Sequence, residues 1–480
     1  MRVAIIGTGY VGLVTGTCLA ELGHSVTCID KNPQRVAQLK RGQCPIHEPG
    51  LEDLMVANAA AGRLSYAGES EDAVAEADIV FIAVGTPQSA SGGKADLSYV
   101  SAAAEEIGRA IRGFTVVAVK STVPPGTCDQ VQEIVNRFAR EGEAAVVSNP
   151  EFLREGAAVS DFMTPDRIVV GAEDQMARQM MEELYLPFAG KAPILFTRRR
   201  NSELIKYASN AFLATKIAFV NELASLCETS GGDIAEITAG MGLDARIGDR
   251  FLAAGPGYGG SCFPKDTAAL AAYAREQGAS LHVVEATMHA NSERKKSVSR
   301  LIARAMGGDV SGKRIAVLGV TFKANTDDMR DAPSLTILPE LQAMGADVVA
   351  YDPAGMKMAR PLLPGVTFFS SAEAATKTAD ALVVLTEWPE FKTLDYARIS
   401  RGMTQPVIVD CRNLLDANLL KASGFTVAGI GKSISGTEDG TRHDNSIIPF
   451  KARPDRGRSG LPGLAPHRQA GGARLSGRHR

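Results

Sequence analysis

The feature that most restricts how this chain can fold is a glycine-rich turn between a short β-branched run and a helical stretch. Residues 7–12 read GTGYVG, follow the run VAII at 3–6, and precede a second apolar run at 25–30 that ends in an acid. The three glycines of such a turn allow a tight bend, close approach of the backbone to a pyrophosphate, and close packing of the next helix. A lone glycine turn can be purely structural, but the strand, the helix and the acid together predict a dinucleotide-binding unit.

The acid that ends the second run, Asp30, bears on which dinucleotide is bound. A carboxylate at this position can accept hydrogen bonds from the hydroxyls of a ribose, and this favours NAD. Arg35 lies nearby in the sequence and keeps NADP open, because an arginine can accommodate a ribose phosphate. The turn and Asp30 therefore predict NAD as the cofactor.

Strand and helix patterns alternate through the first part of the chain. Apolar runs at 77–84, 114–119 and 144–149 have the composition of buried strands, and helical spacers such as 98–111 separate them. Strands that alternate with helices in this way predict an α/β fold with a parallel sheet covered on both faces.

A long helix is predicted next, since residues 202–230 contain neither glycine nor proline and are followed by Gly231 and Gly232. A helix of this length spans about 43 Å at 1.5 Å per residue. It is too long for one face of a small sheet, and we expect it to link two lobes or to build a subunit interface.

The alternation returns at residue 313. Apolar runs at 313–322, 346–353, 380–388 and 406–413 repeat the order seen at the start of the chain, again with an acid at the end of the second run. The pattern predicts a second α/β domain of similar plan, and so a distant internal repeat.

We therefore expect two Rossmann-like doubly wound parallel-sheet domains joined by a long central helix and a helical middle region. The predicted division is an NAD-binding domain at 1–200, a helical dimerisation domain at 201–305, a second Rossmann-like domain at 306–450, and a disordered basic tail at 451–480.

Charge and cysteine content narrow the possible partners. The chain has 52 Lys and Arg against 54 Asp and Glu, so no general positive field favours nucleic acid. Its seven cysteines are scattered without a CxxC pair, which disfavours a disulfide framework or a zinc site and favours a reducing, cytoplasmic setting. The uncharged stretch at 3–20 contains four glycines, so we expect neither a signal peptide nor a stable membrane association.

One cysteine stands in a sequence that suggests chemistry. Cys262 lies in GPGYGGSCFPKD at 255–266, where Pro264 predicts the first turn of a helix. A helix N-terminus and the neighbouring Lys265 are expected to lower the pKa of this thiol, which would favour the nucleophilic thiolate. The alternative, a small buried hydrophobic residue, is the interpretation we give to the other six cysteines.

Lys206 and Asn210 lie four residues apart on the predicted long helix and so share one face. A lysine there could stabilise a developing oxyanion, and the amide could hold a substrate hydroxyl. The alternative is a solvated lysine on an exposed stripe.

Polar residues also follow the predicted strands. Thr122 comes after one strand, and Glu151 and Glu155 come after the next. Since ligands of open α/β sheets bind at the carboxyl ends of the strands, these side chains are candidate site residues; ordinary turn chemistry is the alternative. The matching loop at 319–330 lacks the full glycine pattern, so a different phosphate-bearing ligand is expected there.

Several long motifs stand in one order along residues 1 to about 445, and over this length the chain resembles the UDP-glucose/GDP-mannose dehydrogenase family. The motifs are GTGYVG (7–12), FIAVGTP (81–87), STVPPGT (121–127), NPEFLREG (149–156), SELIKYASNAFLATK (202–216), GPGYGGSCFPKD (255–266) and TFKANTDDMRDAP (321–333).

The resemblance implies oxidation of the C6 alcohol of a sugar nucleotide to a carboxylate, with two NAD⁺ and one water consumed. Cys262 would trap the intermediate aldehyde as a thiohemiacetal, and a second oxidation would give a thioester that water hydrolyses. Lys206 would stabilise the oxyanion beside Asn210. No metal is required. The further catalytic residues implied are those that handle water or protons, namely Asp266, Thr122 and Glu151.

The same resemblance implies the ligand contacts. Residues expected to contact NAD are Gly7, Gly9, Tyr10, Val11, Gly12, Asp30, Arg35, Thr86, Thr122, Glu155, Lys265 and Arg330. Residues expected to contact the sugar nucleotide are Glu151, Phe152, Leu153, Arg154, Glu155, Lys206, Asn210, Phe251, Leu252, Ala253, Ala254, Gly255, Gly259 and Lys323. Arg246 would reach the substrate of a neighbouring subunit, which implies a homodimer or a higher homo-oligomer. The family more often has lysine where Arg35 stands.

Within this family, the stretch at 255–266 favours UDP-glucose as substrate and UDP-glucuronate as product. GDP-mannose and UDP-N-acetylmannosamine remain alternatives. Two other classes also stay open: a two-electron hydroxy-acid dehydrogenase, in which Cys262 is only packing, and a non-catalytic nucleotide-binding regulator.

Overall fold

The computed structural model describes residues 1–89 and 93–432. The predicted tail at 451–480 and the last part of the predicted domain at 306–450 lie outside the described residues. None of the helices in the part described is long and apolar enough to cross a membrane.

The first lobe is built on an eight-stranded sheet with the order β3-β2-β1-β4-β5-β6-β7-β8. Its strands are β1 (Arg2–Ile6), β2 (Ser25–Ile29), β3 (Leu64–Ala67), β4 (Ile79–Ile82), β5 (Thr115–Val119), β6 (Ala144–Ser148), β7 (Ile168–Gly171) and β8 (Ile194–Thr197). Its helices are α1 (Tyr10–Glu21), α2 (Pro33–Lys40), α3 (Leu51–Ala60), α4 (Glu71–Ala75), α5 (Ser98–Ala110), α6 (Thr127–Asn136), α7 (Ala158–Met163) and α8 (Gln175–Leu184), with a 3₁₀ turn at Leu186–Phe188.

Both faces of this sheet are covered, as the alternation predicted. Val3 and Ile5 of β1 point into one core with α1 and α3, whereas Ala4 and Ile6 point into another core with α5 and α6. In the strand order, β1 and β4 are the neighbours at which the direction of the sequence reverses. Sheets of this kind bind ligands at the carboxyl ends of such a pair of strands.

The sheet differs from a wholly parallel one at a single junction. β1 to β6 run parallel, but β7 pairs antiparallel with β6 and parallel with β8. An apolar run predicts a buried strand and contains no information on its direction. For this reason the sequence pattern could not reveal the reversal.

The middle of the chain is helical. It comprises α9 (Arg199–Ser230), α10 (Ile234–Gly242), α11 (Phe263–Glu276) and α12 (His282–Ala305). The first turns of α9 lie against β6, where Ser202 bonds to Ser148, and its last turns enter the core of the second lobe through Val220 and Ala224. The predicted long helix thus joins two lobes and ends, as expected, at Gly231.

The second lobe repeats the plan of the first with six parallel strands in the order β11-β10-β9-β12-β13-β14. They are β9 (Arg314–Leu318), β10 (Asp347–Tyr351), β11 (Thr367–Phe368), β12 (Ala381–Val384), β13 (Val407–Asp410) and β14 (Thr426–Gly429). The helices are α13 (Ser334–Ala343), α14 (Met356–Ala359), α15 (Ala372–Thr376), α16 (Tyr396–Gly402) and α17 (Ala417–Ala422), with a 3₁₀ turn at Pro389–Thr393.

The internal repeat extends to single hydrogen bonds. The amide of Gly7 donates to the carbonyl of Ile29, and the amide of Gly319 donates to the carbonyl of Tyr351, each at 2.8 Å. In each lobe the acid after the second strand accepts hydrogen bonds from the turn that follows the first strand. This acid is Asp30 in the first lobe and Asp352 in the second. The predicted boundaries between the domains stay a prediction.

Substitution of two glycines in the first turn should change the stability of the fold to different extents. An alanine at Gly12 would place its Cβ 1.9 Å from the carbonyl oxygen of Gly7, whereas nothing lies within 4 Å of a Cβ at Gly9. We expect Gly12→Ala to lower the free energy of unfolding by about 2–3 kcal/mol. The matched variant Gly9→Ala should cost about 1 kcal/mol or less. Urea unfolding followed by circular dichroism compares them, and equal losses would contradict the assigned packing role.

Candidate active site

A cavity of ≈ 580 Å³ opens between the two lobes and contains most of the residues predicted for substrate and chemistry. It is lined by the loop after β6, by one face of α9, by the loop before α11 and by the loop after β9. The predicted residues that line it are Glu151, Phe152, Leu153, Arg154, Glu155, Lys206, Asn210, Phe251, Ala253, Gly255, Gly259, Cys262 and Lys323.

Cys262 occupies the N-cap position of α11, with proline in the first turn as the sequence predicted. Its pKa is not lowered as expected. Burial and the nearby Glu151 raise the pKa of the Cys262 thiol to about 11, and the opposing charge of Lys206 only partly offsets them. Lys265 does not assist, because its ammonium pairs with Asp266 at 2.5 Å. The thiol of Cys262 is therefore protonated at neutral pH.

Lys206 is buried, with 3% of its surface exposed, and is not the solvated lysine of the alternative interpretation. Its ammonium lies 3.2 Å from the carboxylate of Glu151. Burial acts to lower the pKa of Lys206, but the carboxylate of Glu151 and the side chains of Cys262 and Asp266 outweigh it. The pKa therefore lies above its ordinary value, and the cavity holds a fixed positive charge.

Asn210 lies one turn after Lys206 and donates a hydrogen bond of 2.6 Å to the carboxylate of Asp266. Asp266 is 1% exposed and does not line the cavity. The arrangement leaves the second amide hydrogen and the carbonyl oxygen of Asn210 free for a ligand, while Asp266 fixes the orientation of the amide.

Glu155 bonds across to the cysteine loop. One of its carboxylate oxygens accepts a bond of 2.8 Å from the hydroxyl of Ser261, which in turn lies 3.4 Å from the sulfur of Cys262. Arg330 donates to the same oxygen at 3.4 Å. Burial, followed by the charge of Asp328, raises the pKa of Glu155 to about 7. Burial likewise lowers the pKa of the neighbouring Lys323.

The loop before α11 is held by side chains of the middle helices. The side chain of Asn221 accepts a hydrogen bond of 2.8 Å from the amide of Gly255, and Arg294 donates one of 3.0 Å to the carbonyl of Gly255. The side chain of Asn291 bonds to both the amide and the carbonyl of Tyr258. These bonds fix the path of the loop on which the cysteine is carried.

Two predicted substrate residues in this loop point elsewhere. Leu252 and Ala254 belong to the core of the second lobe, and neither lines the cavity. Their neighbours Phe251 and Ala253 do line it. Along residues 251–254 the side chains alternate between the cavity and the core, so only Phe251 and Ala253 can offer side chains to a ligand.

Sequence reasoning missed a second buried lysine. Lys120, at the carboxyl end of β5, is 5% exposed and lines the cavity. Its ammonium donates to the side-chain oxygen of Asn149 at 3.1 Å, and burial lowers its pKa to about 8. Its position directly after a strand was the available signal, but a lysine there is commonly solvated.

The glycine turn of the first lobe is suited to a dinucleotide. The N-terminus of α1 has no side-chain cap, so its first amides are free, and the surface over Gly9 is open. Asp30 is half-buried and accepts from the amide and hydroxyl of Thr8, while Arg35 donates to the Thr8 carbonyl at 3.1 Å. These residues fit NAD, with Asp30 beside the turn where a ribose would lie.

Other predicted cofactor residues lie along the same edge of the sheet. The hydroxyl of Thr86, after β4, donates to the carbonyl of Thr122, after β5, at 3.0 Å. In the second lobe the equivalent acid, Asp352, is fully buried and also accepts from the indole of Trp388. Asp352 therefore cannot meet a ribose, in agreement with the different ligand expected there.

Arg246 is exposed and pairs with Asp244, away from the cavity. Its predicted role, which requires a partner subunit, stays a prediction. Within residues 1–89 and 93–432, no group of three or more His, Cys, Asp or Glu side chains is placed to hold a metal ion.

Three family models match consecutive parts of the chain. They are the NAD-binding domain, the central domain and the UDP-binding domain of the UDP-glucose/GDP-mannose dehydrogenase family, over residues 1–189, 200–293 and 316–417.

Individual proteins match over almost the same length. The UDP-glucose 6-dehydrogenase of Rhizobium meliloti is 51% identical, over 90% of this chain and 100% of its own. UDP-glucose 6-dehydrogenase TuaD of Bacillus subtilis is 45% identical, over 92% of this chain and 96% of its own. The solved UDP-glucose dehydrogenase of Pyrobaculum islandicum superposes with a TM-score of 0.82 at 40% identity, covering 90% of this chain and 97% of that one.

The protonated state of Cys262 predicts slow alkylation at neutral pH. Because the thiolate is the reactive form, the rate of reaction with iodoacetamide should rise about tenfold for each pH unit between pH 7 and 9. At pH 8, Glu151→Gln should speed the reaction by removing the charge that raises the pKa, and Lys206→Met should slow it. Peptide mass spectrometry follows Cys262 separately from Cys44, the other half-buried thiol. A rate independent of pH in this range would show a thiolate already present and contradict the assignment.

Proposed function

Because the chain belongs to the UDP-glucose/GDP-mannose dehydrogenase family, we propose that it oxidises the C6 alcohol of UDP-glucose to a carboxylate. NAD is its cofactor, and UDP-glucuronate is the product. The reaction removes four electrons in two oxidations, so each substrate molecule reduces two molecules of NAD⁺.

The observation that carries the proposal is the meeting of three groups from distant parts of the chain. The thiol of Cys262, the ammonium of Lys206 and the carboxylate of Glu151 line one cavity, and the charges of Glu151 and Lys206 act in opposite directions on the pKa of the thiol. A two-electron dehydrogenase needs no thiol, whereas a thiol directed into the cavity is suited to holding an aldehyde for a second oxidation.

We assign the reacting oxygen to Lys206 and the free half of the Asn210 amide. Both groups donate hydrogen bonds, and Lys206 keeps its charge while its side chain is almost completely removed from water, where a fixed charge acts strongly. Each tetrahedral intermediate formed at C6 places negative charge on this oxygen. NAD, when bound, accepts the hydride that leaves C6 in each of the two oxidations.

Glu151 is the group that we assign to the proton of the C6 hydroxyl. When its carboxylate takes this proton, the neighbouring charge that raises the pKa of Cys262 disappears. The pKa of the thiol then falls under the remaining influence of Lys206, just as the aldehyde forms. The first oxidation would in this way prepare the nucleophile for the next step.

The thiol of Cys262 gives up its proton to the carboxylate of Glu155 through the hydroxyl of Ser261. The sulfur then adds to the aldehyde carbon, and Lys206 stabilises the resulting oxyanion. Loss of the second hydride from C6 converts this thiohemiacetal into a thioester. Water attacks the thioester carbon, the carbon–sulfur bond breaks, and the carboxylate and the thiol are released. Glu155, with a pKa near neutrality and Ser261 beside it, is in position to exchange protons at this stage.

We also propose a homodimer formed along α9. Four large apolar residues about two helical turns apart stand exposed on this helix, and they form a stripe about 33 Å long. The stripe consists of Leu204, Phe212, Phe219 and Leu226. A contiguous apolar face of this length is typical of an interface, and pairing α9 with a second copy would cover it.

A location in the cytoplasm also stays a proposal. It is supported by the seven cysteines, which are all free thiols.

The number of reduced cofactors per sugar tests the four-electron reaction. We expect two NADH for each UDP-glucose consumed, with much slower turnover of GDP-mannose and UDP-N-acetylmannosamine. Cys262→Ala should lower the rate of uronate formation by about 10³-fold or more, because the covalent intermediate cannot form. Cys44→Ala is the matched control and should retain activity. One NADH per sugar, or full activity without the thiol, would overturn the mechanism.

The dimer has its own test. Phe219→Glu places a charge in the middle of the apolar stripe and should halve the molecular mass in solution, whereas Leu419→Glu, an exposed leucine in the second lobe, should not. Sedimentation velocity measures both. A dimer that persists in Phe219→Glu would show that α9 is not the interface.

A further inference from the structure

A buried carboxylate outside the cavity joins the cofactor turn to the loop that carries the catalytic carboxylates. Glu48, in the connection before α3, is 7% exposed. One of its oxygens accepts from the hydroxyl of Tyr10, the fourth residue of the glycine turn, and from the amide of Gly156 at 2.6 Å. The other accepts from the amide of Ala158 at 2.7 Å.

Tyr10 completes the connection. Its hydroxyl donates to Glu48 and accepts a bond of 2.8 Å from the amide of Gly156. Burial and the neighbouring carboxylate raise the pKa of Tyr10, so its hydroxyl keeps the proton that it donates. The turn, Glu48 and the loop thus form a closed set of hydrogen bonds in which the carboxylate is the shared acceptor.

The contribution of Glu48 to stability comes from the backbone amides that bond to its carboxylate. Its two oxygens receive the amides of Gly156, Ala158 and Val159 around the N-terminus of α7, where no N-cap side chain offers an acceptor. Hydrogen bonds to a charged acceptor are stronger than neutral ones, and a buried amide that loses its acceptor is costly. Removing the carboxylate would therefore leave only the bond from the amide of Gly156 to the hydroxyl of Tyr10 between this loop and the cofactor turn.

These residues directly follow Glu151 and Glu155 in the chain. Glu155 precedes Gly156 and bonds to Ser261 beside the cysteine. On its other side, a Cβ at Gly156 would lie 2.9 Å from the carbonyl oxygen of Asn325, so the loop also touches the second lobe. The loop is consequently placed between the cofactor turn, the cysteine loop and the second lobe.

We propose that Glu48 is a positioning residue which, through Tyr10, couples occupation of the cofactor turn to the ordering of residues 153–159. A dinucleotide on the turn fixes the start of α1, and the bonds of Tyr10 and Glu48 pass this restraint to the loop. The inference rests on the proposed function for the identity of the ligands, but its test requires only the dinucleotide.

The test is hydrogen–deuterium exchange of the full chain with and without saturating NADH, read in peptides that cover 7–13 and 153–163. In the wild type, NADH should slow exchange of the second peptide by about tenfold or more. In Tyr10→Phe and Glu48→Gln the first peptide should still be protected, while the effect on the second should fall below about twofold. Tyr66→Phe is the matched control, because its buried hydroxyl has no hydrogen-bond partner.

The exchange experiment separates a coupling role of Tyr10 and Glu48 from a merely structural one. A merely structural role would change the melting temperature and leave the NADH-dependent difference intact, so equal protection of 153–163 in Tyr10→Phe overturns the proposal. Absence of this protection in the wild type overturns it as well. If the peptide at 7–13 is not protected either, the cofactor assignment itself fails. Should Glu48→Gln not fold, Tyr10→Phe decides alone.

Discussion

The ion pair between Lys206 and Glu151 is the interaction on which the site depends. Both side chains are almost completely buried, and taking two charges out of water costs several kcal/mol per ion unless each keeps a close partner. The pair forms only when the start of α9 lies against the loop after β6. The packing of α9 against the first lobe therefore also places both charges beside the thiol of Cys262. There Glu151 raises the pKa of the thiol and Lys206 lowers it.

The two lobes show how one plan can serve two purposes. Strand order, the glycine after the first strand and the acid after the second recur in both. In the first lobe Asp30 remains half-buried at the edge of the sheet, whereas Asp352 in the second lobe is closed in by Thr321 and Trp388. A difference of a few side chains thus separates an accessible acid, predicted to bind a ribose, from an internal structural one.

Local features were predictable from the sequence because local chemistry determines them. The turn at 7–12, the long helix ending before Gly231 and the helix start near Pro264 each depend on residues within a few positions of one another. They were found within a few residues of their predicted places. The resemblance to a family grouped the predicted substrate and catalytic residues without any geometry, and most of these line one cavity in the structure.

Features that arise between distant residues were not predictable in this way. The pKa of Cys262 depends on Glu151, more than a hundred positions earlier, and a rule based on helix ends and neighbouring lysines gave the wrong sign. The direction of β7 and the inward orientation of Leu252 are set by packing that no periodicity records. The same holds for Glu48, whose partners lie at positions 10 and 156.

The high pKa of Cys262 has a consequence for the survival of the enzyme between catalytic cycles. With a pKa of about 11, only about one molecule in 10⁴ carries a thiolate at pH 7. Peroxides attack the thiolate, and so the resting protein resists conversion to the sulfenic acid that would inactivate it. Under the proposed mechanism, this protection is lifted only while Glu151 holds the proton of the substrate.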